Sequence, residues 1–110
     1  MAEYAYQQVT LSGGAGTPVT PTASDTIRPD DRGWLHYENT NASPRTITIL
    51  TPAGLDFASA VLPPLQYTLA GTTGRQDIGP LPSALADPVT GLITVTTDAQ
   101  AGVTVMARRI

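Results

Sequence analysis

The sequence predicts an all-β domain: a two-sheet β-sandwich, jelly-roll-like, of about eight strands. Three observations predict it. Short segments alternate apolar and polar residues with a period of two, as where Ile47 and Ile49 alternate with Thr46 and Thr48. Turn-forming residues interrupt these segments at roughly the 8–12-residue spacing of sandwiches and barrels. The composition holds 17 Thr, 10 Gly and 10 Pro, which suit extended segments and turns and weaken helices.

Taken in order, Tyr4 to Leu11 reads as a loosely alternating strand, with Tyr4, Tyr6 and Gln8 on one side and Ala5, Gln7 and Val9 on the other. Ser12 to Gly16 is a Gly-rich connection. Val19 to Ser24 reads as a short edge strand, because Pro18 and Pro21 cannot donate ladder hydrogen bonds. Thr26-Ile27-Arg28 begins another, and Pro29-Asp30-Asp31-Arg32-Gly33 is a turn. Trp34 to Asn39 places Leu35 and Tyr37 on one face and Trp34, His36 and Glu38 on the other. Across the polar loop from Asn39 to Pro44 it is expected to pair with Arg45–Thr51 as an antiparallel hairpin. Leu55 to Leu62 fits either a helical turn or a loop plugging one end of the core. Gln66–Leu69 and Arg75–Ile78 read as strands around a turn at Ala70–Gly74, and Ser83 to Ala86 as one loose turn. A second hairpin is expected from Leu92–Thr97, with Ile93 and Val95 inward, and Gly102–Ile110, with Val103, Val105 and Ala107 inward.

At 110 residues the chain is the size of one domain, spanning 1–110, with residues 1–16 either the first strand or a contact arm on a Gly-rich hinge. The net charge of −3 and the lack of any basic cluster beyond Arg108-Arg109 argue against nucleic acid as a partner. Lys is absent and all six basic residues are Arg, a sign of a genome rich in G and C. With no Cys, disulfides and thiolate metal sites are excluded. The N-terminus lacks the basic and apolar regions of a secretory signal. The longest uncharged run, Phe57 to Gly74, is too polar and broken to span a membrane, so no membrane partner is expected.

The chemistry-bearing residues are few. His36 is the sole histidine and shares a face with Glu38, but one His and one carboxylate make too few metal ligands, so it reads as a solvated or interface-facing strand residue. Asp30-Asp31, even with Asp25, lack the ligand spacing of a calcium loop and read as turn residues. Ser12-Gly13-Gly14-Ala15-Gly16-Thr17 has the glycines of a phosphate-cradling loop but no following Lys. Asn41-Ala42-Ser43 matches a glycosylation tripeptide but reads as an ordinary turn. No GxSxG occurs and His36 has no evident triad partners. No catalytic residue, cofactor or metal is therefore expected, and the chain is expected not to be an enzyme. Trp34 with Tyr4, Tyr6, Tyr37 and Tyr67 raises a carbohydrate-binding platform as an alternative, although isolated aromatics on sandwiches are more often core or interface anchors.

Four stretches carry a resemblance: Gly33-Trp-Leu-His-Tyr-Glu-Asn39; Arg45-Thr-Ile-Thr-Ile-Leu-Thr-Pro52; Leu69-Ala-Gly71 followed by Ile78-Gly-Pro-Leu-Pro82; and Leu92-Ile-Thr-Val-Thr-Thr97 with Val103-Thr-Val-Met-Ala-Arg-Arg-Ile110. In this order they resemble small structural proteins of tailed bacteriophages, especially those of actinobacterial hosts. The resemblance implies a virion protein made in the host cytoplasm and carried on the capsid surface. It would be a decoration (cement) protein bound to the major capsid protein, homo-oligomeric with a trimer favoured. A tail or head-tail connector subunit is the alternative within the same class. The interface residues expected on this reading are Tyr4, Tyr6, Trp34, His36, Arg108 and Arg109.

Overall fold

The structure is a computed structural model and describes residues 3–9, 16–50, 56–57, 60–61 and 65–109. Its strands are β1 (Glu3–Tyr4), β2 (Gln7–Gln8), β3 (Ser24–Ile27), β4 (Gly33–Asn39), β5 (Arg45–Ile49), β6 (Asp56–Phe57), β7 (Ala60–Val61), β8 (Leu65–Leu69), β9 (Gly74–Ile78), β10 (Ile93–Thr97) and β11 (Val103–Arg109), with one 3₁₀ turn at Ser83–Leu85. One sheet has the order β1-β3-β10-β5-β8 and the other β2-β11-β4-β9; β6 and β7 form a separate two-stranded ribbon.

From β3 onward the chain changes sheet at each step, except between β5 and β8, which pair with each other. The late strand β10 lies between the early strands β3 and β5, and β11 lies beside β4. The two sheets form the β-sandwich expected from the alternation and the strand count. Val19 takes the antiparallel place on the edge of β11, opposite Val105, as an isolated bridge rather than as the expected strand.

The inner faces follow the sequence alternation. Leu35, Tyr37, Ile47, Ile93, Val95 and Val105 are all at most 1 % exposed, which contributes roughly 1.5–3 kcal/mol for each large apolar side chain. The outward Thr46, Thr48, Thr94 and Thr96 are half-buried.

Neither expected hairpin exists. β4 pairs with β11 and β9, and β5 pairs with β10 and β8. The connections 40–44 and 98–102 are arches that carry the chain from one sheet to the other. Alternation dictates which side chains are dry, and an arch satisfies it as well as a hairpin does; stacked sheets are only about 10 Å apart, within reach of a short loop. The arch after β4 is held by Asn39, which is 1 % exposed. Its Nδ2 donates to the carbonyls of Ser43 (2.9 Å) and Ala70 (3.1 Å), and its Oδ1 accepts from the Asn41 N–H at 3.0 Å. The second arch packs on the first: the Thr40 N–H donates to Gly102 O at 2.9 Å. Gly102 has φ +77°, and a Cβ there would lie 2.7 Å from Asn41 N, so glycine is required twice over.

The expected first strand, Tyr4 to Leu11, is two short strands in different sheets. β1 adds in parallel to β3, with Tyr4 opposite Ile27, and β2 adds in parallel to β11, with Gln7 opposite Arg108. Residues 3–9 thus cross one open side of the sandwich as a strap. The Gly-rich stretch 12–15 and half of Leu55–Leu62 lie outside the described residues; the described half is the β6–β7 ribbon rather than a helical turn.

Candidate functional site

The six residues expected at an interface fall into two groups. Tyr4, Tyr6 and Arg109 fasten the strap. Trp34, His36 and Arg108 share the outer face of the sheet β2-β11-β4-β9.

In the first group, Tyr4 is 8 % exposed and its hydroxyl donates to the Asp25 carboxyl on β3, itself 1 % exposed. Asp25 also accepts from the Thr22 hydroxyl and, at 2.8 Å, from the Thr22 N–H. The Tyr37 hydroxyl belongs to the same buried cluster but makes no hydrogen bond of good geometry. Burial pushes the pKa values of both Tyr4 and Tyr37 well above the ordinary phenol value. The Tyr6 hydroxyl donates to Arg28 O, and its ring lies where a side chain on Gly33 would stand, so β4 opens on glycine to seat it. Partial burial raises the Tyr6 pKa to about 12. Arg109 donates through Nε to Asp30 Oδ2 (2.7 Å) and through a terminal nitrogen to Gln8 Oε1 (2.9 Å). Asp30 also caps its own turn by accepting the Arg32 N–H at 2.8 Å. This backbone bond, and then the Arg109 guanidinium, hold its carboxyl below the usual carboxylate range. The Asp30 turn is thus as expected; Asp25 is a strand residue in the core.

The second group is assembled by register. On the outer face Arg108 lies opposite Trp34, and Met106 opposite His36, across β11 and β4. Across β4 and β9, His36 faces Asp77 and Glu38 faces Arg75. His36 Nδ1 meets Asp77 Oδ1 at 2.6 Å, and its Nε2 lies 3.6 Å from Glu38 Oε1. Glu38 in turn pairs with Arg75 Nε at 3.1 Å. The contact of Nδ1 with Asp77 makes the imidazole a polar tie between β4 and β9. Among the described residues no group of three or more acidic or histidine side chains is arranged to hold a metal ion.

One corner of this face is covered by the chain itself. Gly16 sits with φ +73° over Gln7, Met106 and Arg108, where a Cβ would come within 3.1 Å of Met106 Sδ. Gln7 and Thr17 lock that corner by reciprocal bonds, Gln7 Nε2 to Thr17 O (2.8 Å) and Thr17 N–H to Gln7 Oε1 (2.6 Å). Trp34, His36 and Glu38 remain half-buried beside it. Trp34, His36 and Glu38, and separately Met106 and Arg108, are outward-facing by alternation in the sequence, whereas Asp77 and Arg75 join them only through long-range pairing. The aromatics do not gather into a sugar platform: Tyr4 and Tyr37 are in the core, Tyr67 is on the other sheet and Trp34 stands on this face.

Among the described residues no helix is long and apolar enough to cross a membrane. Comparison of the chain with family models, with curated proteins and with solved structures gave no match.

Proposed function

We propose that this chain is a non-enzymatic structural protein of a tailed-phage particle, a decoration protein that docks on the outer surface of the head through the outer face of the sheet β2-β11-β4-β9. The observation that carries the reading is the juxtaposition on that face of Trp34, Met106 and Arg108 with the cross-strand set His36, Asp77, Glu38 and Arg75. Trp, Met and Arg are the residue types enriched where proteins meet, and anchor residues of this kind work best ringed by polar groups that exclude water. Asp77, Glu38 and Arg75 are already paired within the sheet, so docking does not strand them. A β-sandwich presents such a face on a rigid body that need not reorganise to bind. Of the four stretches resembling phage structural proteins, the first coincides with β4 and the last runs through β11. The partner on this reading is the major capsid protein, and the copies gather as homo-oligomers, with trimers favoured, at places where capsid subunits meet.

Imaging of the purified particle, with copies located and counted, tests this. Many copies spread over the head, bound by this face and lost on Trp34→Ala, are expected. A single ring at one vertex would replace the reading with a tail or connector subunit, and absence from the particle would end it.

A further inference from the structure

We propose that the strap, residues 3–9, is an exchangeable element that seats on β3 and β11 of a second copy of this chain, so that copies are linked by reciprocal strap exchange. The backbone of the strap joins the body only at sheet edges. Each of its two strands makes a two-residue parallel pairing, one to β3 and one to β11. Parallel edge additions of this kind form equally well whichever chain supplies the strand. A groove of ≈ 430 Å³ lies along the strap, lined among others by Tyr4, Ala5, Val19, Val105 and Ala107. The strap is therefore less completely packed than the sandwich beneath it, and it is fastened chiefly by its tyrosine and glutamine side chains.

What the strap covers selects its own sequence. Lifting it exposes the edges of β3 and β11 and deprives the buried Asp25 carboxyl of the Tyr4 hydroxyl. A replacement strand must restore a tyrosine to Asp25. Two positions on it must place a second ring over Gly33, where the lack of a side chain makes room, with its hydroxyl on Arg28 O. It must also offer a Gln to Thr17 and another to Arg109. The strap of a second copy meets all of these requirements. Exchange conserves every contact and is governed by protein concentration, the usual low-cost route to linked protomers.

The inference stands apart from the capsid reading and is tested on the purified protein. The chain has no cysteine, so introduced thiols are the only ones present. Glu3 and Thr26 are register partners across β1 and β3. Chains carrying Glu3→Cys alone are mixed with isotope-labelled chains carrying Thr26→Cys alone, oxidised, digested and analysed by mass spectrometry. Disulfides joining position 3 of one copy to position 26 of another are expected, exceeding 3–3 links and rising with protein concentration, together with larger species on gel filtration. Gln7→Cys with Arg108→Cys, in register across β2 and β11, gives the same readout should Thr26→Cys fail to fold. A mixture without inter-copy links at these register pairs at any concentration, with the corresponding double variants closing only within one chain, would overturn the exchange.

Discussion

Tyr4→Phe isolates the buried bond that fastens the strap. The substitution keeps the ring, which is 8 % exposed, and removes only the hydroxyl that donates to Asp25. Asp25 keeps its donors from Thr22 but sits at 1 % exposure, where water cannot replace the lost one. A hydrogen bond to a carboxylate contributes about 1.5–3 kcal/mol. For a chain of 110 residues, where each kcal/mol shifts Tm by roughly 4 °C, the expected loss is about 6–12 °C. Thermal unfolding followed by circular dichroism measures it, and in urea the midpoint falls with the denaturant slope unchanged. Tyr4→Ala also removes the buried ring and is expected to cost about 3–5 kcal/mol. A cycle with Asp25→Asn reports the coupling between the two groups. A Tyr4→Phe loss below about 0.5 kcal/mol, within the range of ordinary surface substitutions, together with no coupling to Asp25, would refute the claim that this bond holds the strap.

Other outcomes follow from the same contacts. Asn39→Ala removes the side chain that ties the first arch to Ser43 O and Ala70 O and should cost about 1–3 kcal/mol, seen as a lower urea midpoint; an unchanged midpoint would mean the arch is held by its backbone alone. Tyr4, Tyr6 and Tyr37 all have raised pKa values against an ordinary value of 10.0. The folded chain therefore holds protons that the unfolded chain releases above about pH 10, so the contribution of these groups to stability is fully present below that pH and is lost as pH rises beyond it; ionisation of the buried Tyr4 and Tyr37 should accompany unfolding rather than precede it. Asp30 acts in the opposite sense. Its pKa is lowered from 3.8, so its contribution is present above that value and fades as pH falls below it, and Asp30→Asn should flatten this acid limb. Trp34→Ala, on the outer face, should leave the unfolding midpoint within about 1 kcal/mol of the parent while abolishing binding to the particle; retained binding would move the docking surface elsewhere.

Much of the fold is legible in the residues themselves. The alternation of Leu35 and Tyr37 with Trp34, His36 and Glu38, and of Ile47 and Ile49 with Thr46 and Thr48, marks dry and wet faces strand by strand, because successive side chains of an extended chain point in opposite directions. Pro29 to Gly33 announces its turn through residues whose local geometry admits little else. Asp25, by contrast, looks like any polar residue near a turn, and nothing near it in sequence reveals that Tyr4 reaches it from 21 positions away. Asp77 is likewise invisible as a partner of His36 until β9 is laid beside β4.

Residue pattern alone suffices for an all-β sandwich, for the inward residues of its central strands and for the outward set containing Trp34, His36 and Arg108. That the two expected hairpins are arches, that β11 and β9 flank β4, that Tyr4 and Asp25 are buried together and that the strap crosses from one sheet to the other emerges only in three dimensions. The physical reason is one of range. Facing is set by the geometry of each residue and its neighbours, whereas the choice of neighbouring strand is made by packing between segments far apart in the chain, and several choices would keep the same side chains dry.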